Sequence, residues 1–169
     1  MKKAITLLAC IAALFGAAAT PASAGAPSAL TVTLTKTVGT TPGVCGTEST
    51  ITVAPGTTVY YCYTLTNDST MTAELHNLVD DQLGNLLESV EYNLLPGASV
   101  NTVALGITAD AVITTTTTNT AVWEVCARVL IPSGRTAQGP VQFDCSGDMA
   151  SATVMVQAPT TSTGPSSST

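Results

Sequence analysis

The chain has 169 residues, a formal net charge of −6 and only 9 % charged residues. An acidic chain this sparing of lysine and arginine cannot present the basic surface that phosphate backbones and anionic lipids require, which argues against nucleic-acid binding and peripheral membrane attachment. Its 45 % hydrophobic content can fill a core, and its length suits a single domain.

Residues 1–24 read as an export signal: Lys2 and Lys3, an apolar run over 4–19, and the small-residue end Ala22-Ser23-Ala24. Cleavage there predicts a mature chain of 145 residues starting near Gly25, in which three bases, Lys36, Arg128 and Arg135, face eleven acids for a net charge of −8. The competing reading is a lipidation box, Leu7-Leu8-Ala9-Cys10, but the apolar run before Cys10 is short and continues past it. No other stretch reaches the roughly 20 apolar residues that span a bilayer, so the expected location is extracellular or at the cell surface.

Beyond the signal, stretches rich in Thr, Val, Ile and Tyr recur between Gly, Pro and Asn, with no sustained 3.6-residue period. This predicts an all-β domain over residues 25–157. The expected strands are 30–38, 49–53, 57–66, 73–79, 86–94, 99–108, 112–130 with a break, 141–145 and 151–156. Pro42-Gly43, Pro55-Gly56 and Pro96-Gly97 predict tight turns, because Pro pre-sets φ at the second turn position and Gly accepts a positive φ at the third.

Alternation assigns the faces. Val32, Leu34 and Val38 separate from Thr31, Thr33 and Thr35, and Val59, Tyr61, Tyr63 and Leu65 separate from Tyr60, Cys62, Thr64 and Thr66. The threonine run 114–118 reads as half-solvated strand, with Ile113, Thr115, Thr117, Asn119, Ala121, Trp123 and Val125 on one side. Val59, Tyr61, Tyr63, Leu65, Trp123 and Val125 are the expected core, with a sugar-stacking Trp123 as the rival reading.

Four cysteines remain after export, Cys45, Cys62, Cys126 and Cys145, so two disulfides are expected among three open pairings. Local hairpins favour Cys45–Cys62, around Ala54-Pro55-Gly56, and Cys126–Cys145, around residues 133–139. Facing Cys126 and Cys145 directly would put Val129 on the side of Gln142, so a bulge or register shift is expected there. Zinc is the rival use of these thiols, but no Cys-x-x-Cys occurs and His76 has no histidine at ligand spacing; His76 reads as a surface strand residue.

Several elements in order resemble a bacterial surface-protein repeat, the domain of unknown function 11, over about residues 30–158. They are Thr35-Lys36-Thr37-Val38, the Pro55-Gly56 turn with the aromatic strand Val59-Tyr60-Tyr61-Cys62-Tyr63 running to Asn67, then Asp80 or Asp81. Pro96-Gly97-Ala98-Ser99-Val100, Asn119-Thr120-Ala121 and Ala152-Thr153-Val154-Met155-Val156 follow. The chain departs from the pattern in its four cysteines and in an insertion over 131–149. The resemblance implies an immunoglobulin-like antiparallel β-sandwich of roughly 7–9 strands, and a non-catalytic building block of secreted or surface proteins.

Reaction-competent motifs are absent from the sequence as well. Gly-x-Ser-x-Gly, a phosphate-binding loop and His-Glu-x-x-His are all missing from the sequence, so no catalytic residue, cofactor or metal is expected. Asp80, Asp81, Glu88 and Glu91 could supply oxygen ligands to calcium, but they lack the spacing of a calcium loop and read as a solvated turn. Asn67-Asp68-Ser69 matches a glycosylation sequon, and residues 158–169, rich in Pro, Ser and Thr, read as a linker or tail. The expected function is a structural or interaction protein, assembling or adhering through β-strand contacts. Residues 30–38 are its lightly protected contact strand, with Lys36 as the only charge against edge pairing. The alternative is a ligand-binding module for carbohydrate or calcium, using Tyr60 or Tyr92 and the acidic turn.

Overall fold

The computed structural model describes residues 29–130 and 141–158. The export signal, Cys10, the turn expected over 133–139 and residues 159–169 of the tail lie outside the described residues. Within them the chain is all-β, with nine strands: β1 Val32–Gly39, β2 Thr50–Val53, β3 Thr57–Asn67, β4 Ala73–Asp80, β5 Gly84–Leu94, β6 Ser99–Asn101, β7 Asp110–Ile113, β8 Thr117–Leu130 and β9 Val141–Val156. Among the described residues no helix is long and apolar enough to cross a membrane.

Two sheets form. In the first, β3 pairs β1 on one side and β6 and β7 on the other; the second runs β2-β9-β8-β4-β5. The expected antiparallel arrangement holds except between β2 and β9, which pair in parallel from Thr50↔Thr153 to Val53↔Val156. The two sheets bury one apolar layer between them, as in a β-sandwich. Val59, Tyr63, Leu65, Trp123 and Val125 are all 0 % exposed and Tyr61 is 2 % exposed, so the six residues expected in the core are there.

The Pro-Gly turns form as their chemistry requires. Gly56 and Gly97 take φ of 82° and 73°, and the turns close with Thr57 N donating to Ala54 O and Ala98 N to Leu95 O. Both expected disulfides are present, Cys45–Cys62 and Cys126–Cys145. Cys62, expected on a wet face, is buried there with its partner Cys45, which lies in the segment between β1 and β2.

Four local expectations are corrected. The strand expected at 99–108 ends at Asn101, whose side-chain Oδ1 accepts Ala104 N at 2.8 Å and turns the chain. Thr102 then stands in for a ladder residue, its hydroxyl accepting Tyr63 N and its own N–H donating to Tyr63 O. The threonine run is not one strand face: Ile113 ends β7 in the first sheet and Thr117 begins β8 in the second, so the run carries the chain between sheets. Residues 141–145 and 151–156 belong to one strand, β9, whose pairing with β8 continues without interruption from Thr117↔Val154 to Leu130↔Val141. No bulge separates Cys126↔Cys145 from Val129↔Gln142. Gln142 is exposed and Val129 half-buried, so a mixed pair breaks no core packing there.

Candidate functional site

Along β1, side chains two residues apart share a face, and Leu34, Lys36 and Val38 all point inward with 5, 3 and 1 % exposure. Lys36 therefore does not guard the edge of β1; it sends an amine into the core. An unpaired ammonium there would cost many kcal/mol, so its partners decide whether the fold can exist.

The first partner is Asp80, the last residue of β4, whose Oδ2 lies 2.8 Å from Lys36 Nζ; both side chains are fully buried. The second is Asn119 on β8, whose Oδ1 accepts from Nζ. Asn119 Nδ2 in turn donates to Asp80 Oδ1 at 3.0 Å, which closes a ring of three side chains from three strands and both sheets. Tyr63 Oη donates to Asp80 Oδ2 at 2.6 Å. The backbone N–H groups of Gln82 and Leu83 donate to Asp80 Oδ1, each at 2.9 Å, in the way an aspartate caps its own turn. The rings of Tyr61 and Tyr63 lie 4.9 and 4.8 Å from Nζ, adding cation–π attraction. Among the described residues, the buried Tyr61 Oη has no hydrogen-bond partner.

The electrostatics follow from this packing. Burial pushes the Lys36 amine below its ordinary value of 10.5, while the hydrogen bond and charge of Asp80 and the charge of Asp81 pull the other way. For Asp80, burial alone would raise the pKa. The hydrogen bonds from Lys36, Tyr63, Gln82 and Leu83 outweigh it and hold the carboxyl below 3.8. Burial, then the hydrogen bond to Asp80, carries the Tyr63 phenol far above its usual range, so it remains a donor.

His76 is a correction: it is 1 % exposed, not a surface residue. Its Nδ1 accepts Trp123 Nε1–H at 3.2 Å, which leaves Nε2–H to donate to Tyr92 O at 2.9 Å. Burial pushes its pKa below 6.5, against the pull of backbone carbonyls at Tyr92 and Ala73, so the ring is neutral. Trp123 is fully buried and spent on this contact, which removes the sugar-stacking reading.

The four acids weighed as calcium ligands are not gathered. Asp80 points inward, Asp81, Glu88 and Glu91 are exposed, and Glu91 meets Arg128 at 3.0 Å; among the described residues no group of three or more His, Cys, Asp or Glu could hold a metal ion. The sequon residue Asn67 is 0 % exposed. Its amide donates to Met71 O and Leu94 O and its oxygen accepts from Ser69, so the folded chain offers no amide to a glycan. Tyr60 sits on β3 and Tyr92 on β5, in different sheets, and so form no common stacking line. Tyr92 borders a shallow depression of about 350 Å³ with Glu74, Glu91, Asn93 and Arg128.

Sequence reasoning missed the Lys36–Asp80–Asn119 ring, although parity held a signal for two of its members. Lys36 falls between inward Leu34 and Val38, and Asn119 precedes inward Ala121, Trp123 and Val125. Comparison of the chain with protein-family models, with curated proteins and with solved structures finds no match.

Proposed function

We propose that the chain is a non-enzymatic structural module of a secreted or cell-surface protein, a rigid sandwich that presents its strands and loops to protein partners. The observation that carries this reading is the use made of the reactive side chains. Lys36, Asp80 and Asn119 are buried and bonded to one another across the two sheets, and His76 is buried and bonded within the second, so none of them is spent on facing a cavity. Two disulfides suit an oxidising, extracellular setting. The resemblance to domain of unknown function 11 repeats belongs to this reading, and a two-sheet sandwich with Pro-Gly turns supports it.

Contact by exchange of β1 is the costly form of such a role. β1 pairs β3 from Val32↔Asn67 to Gly39↔Tyr60. On its other side Leu30 N and Leu34 N donate to the carboxylates of Asp144 and Asp148, and Val38 N to Glu48 O. Removing β1 would also withdraw Lys36 from Asp80. Contact through the exposed outer surface, where Val122, Met149 and Met155 are 45, 64 and 43 % exposed, leaves the core intact. The ligand-binding alternative rests on the polar depression beside Tyr92.

Sedimentation velocity over a range of concentrations, paired with a glycan array, tests the reading. Self-association or capture of a protein partner with no glycan signal is the expected result. A monomer at every concentration that binds a glycan saturably would replace the structural reading with the binding one.

A further inference from the structure

Lys36 and Asn119 bring an amine and a carboxamide together in a place that excludes water. A lysine held for charge alone would be satisfied by Asp80. Here one carboxylate touches both nitrogens: Asp80 Oδ2 is 2.8 Å from Lys36 Nζ, and Oδ1 is 3.0 Å from Asn119 Nδ2. A base on the attacking nitrogen that also reaches the leaving nitrogen is what amide exchange requires. Fixing the two groups inside a rigid sandwich supplies the effective concentration that such a slow reaction lacks in water.

We propose that the protein joins Lys36 to Asn119 by an intramolecular isopeptide bond, with Asp80 as the proton-transferring residue. Lys36 first passes a proton to Asp80, leaving a neutral amine beside a neutral carboxylic acid. The amine nitrogen adds to Asn119 Cγ, forming the new C–N bond, while Asp80 lends its proton to the carboxamide oxygen as the tetrahedral centre forms. As the centre collapses, the Cγ–Nδ2 bond breaks, and the protons from Nζ and the oxygen travel through Asp80 to Nδ2. Ammonium leaves, and Asp80 is a carboxylate again. Lysine ammonium and carboxamide have become a secondary amide and ammonium; nothing is oxidised or reduced and no co-reactant is consumed.

The surroundings favour the attack, although the hydrogen bonds that lower the Asp80 pKa oppose its transient protonation. Burial lowers the Lys36 pKa and so increases the share of neutral nucleophile. Apolar surroundings make the neutral acid–amine pair accessible from the resting ion pair. Tyr63 Oη, donating at 2.6 Å, and the N–H groups of Gln82 and Leu83 hold the carboxylate in position while protons move across it.

The test is an intact mass of the full mature chain after complete disulfide reduction and denaturation, with both chain ends read from terminal peptides. The expected mass is below that of the unmodified residues by one molecule of ammonia, and tandem spectra of a proteolytic digest should show the peptides of Lys36 and Asn119 covalently joined. Trypsin should fail to cut after Lys36. An unmodified mass, or an ammonia loss located at any other residue, overturns the proposal. Asp80→Asn keeps both joined residues and removes the base, so its expected product is a chain of unmodified mass with a native-like circular dichroism spectrum. Should that variant not fold, the wild-type mass still decides whether the bond exists. Bond formation at wild-type yield in folded Asp80→Asn would overturn the role given to Asp80.

Discussion

The Cys126–Cys145 staple and the Lys36–Asp80–Asn119 ring both tie strands together, but they work on different parts of the molecule. The disulfide joins directly facing residues of the β8–β9 hairpin, a sequence separation of 19, on the outer surface of one sheet. The ring joins β1 to β4 and β8 across the core, with a sequence separation of 83 between Lys36 and Asn119. Cys45–Cys62, separated by 17, is also confined to one sheet and its adjoining loop, so neither disulfide holds the two sheets together. Short-range staples constrain what is already local. The buried ring fixes the one relation, sheet against sheet, that local pairing leaves free.

The comparison breaks most sharply at Asp80. Asp80→Ala strands a buried amine and leaves Tyr63 Oη without its acceptor, and chemical denaturation should show a loss of about 3–5 kcal/mol. A loss below 1 kcal/mol, within the range of a surface pair, would mean that the ring contributes little to holding the sheets together. Replacing Cys126 and Cys145 together by Ser should cost less, about 2–3 kcal/mol, because the closed loop is short and the hairpin's backbone pairing survives. Denaturation midpoints of the two variants side by side rank the staples; a costlier hairpin variant would reverse the comparison.

Acid should separate the core groups by pH. His76 has its folded pKa lowered, so the unfolded chain binds the extra proton. The stability it contributes is fully present above 6.5 and is lost as pH falls below that value toward the lowered folded pKa. Asp80 is also lowered, so its contribution is present above 3.8 and is lost as pH falls further. Denaturation at stepped pH should show an onset near 6.5 that disappears in His76→Leu, while the onset below 3.8 remains. A pH-independent midpoint across the upper window would contradict a buried neutral His76. The smallest effect belongs to Arg128, 48 % exposed and set between Glu74 at 3.7 Å and Glu91 at 3.0 Å. Arg128→Ala should change stability by under about 1 kcal/mol, less still in high salt.

The same contrast explains what could be read beforehand. Cysteine pairing, Pro-Gly turns and the alternation of β3 are local, and the core around Val59, Tyr63 and Trp123 follows from them. The ring is not local: it exists only because sheet packing brings three distant strands together, and no spacing in the chain encodes that. Lys36 reads as an edge residue because lysine so often protects one, yet its parity with Leu34 and Val38 points inward. His76 reads as a surface residue because its context is polar, and its partners Trp123 and Tyr92 lie 47 and 16 residues away. Buried polar residues are legible only as exceptions on an apolar face, and their chemistry only once their partners are known.

The placement of Lys36 near the start of the sandwich and Asn119 on a late strand also has a mechanical meaning. Tension applied along the polypeptide passes through β1 and must reach the residues after Asn119 to be transmitted onward. Once Lys36 and Asn119 are bonded, that load crosses directly from one side chain to the other, and the backbone between them, β3 to β7 included, carries none of it. A stretched molecule would therefore gain no length from the 82 residues between them, and only the backbone before Lys36 and after Asn119 could still extend.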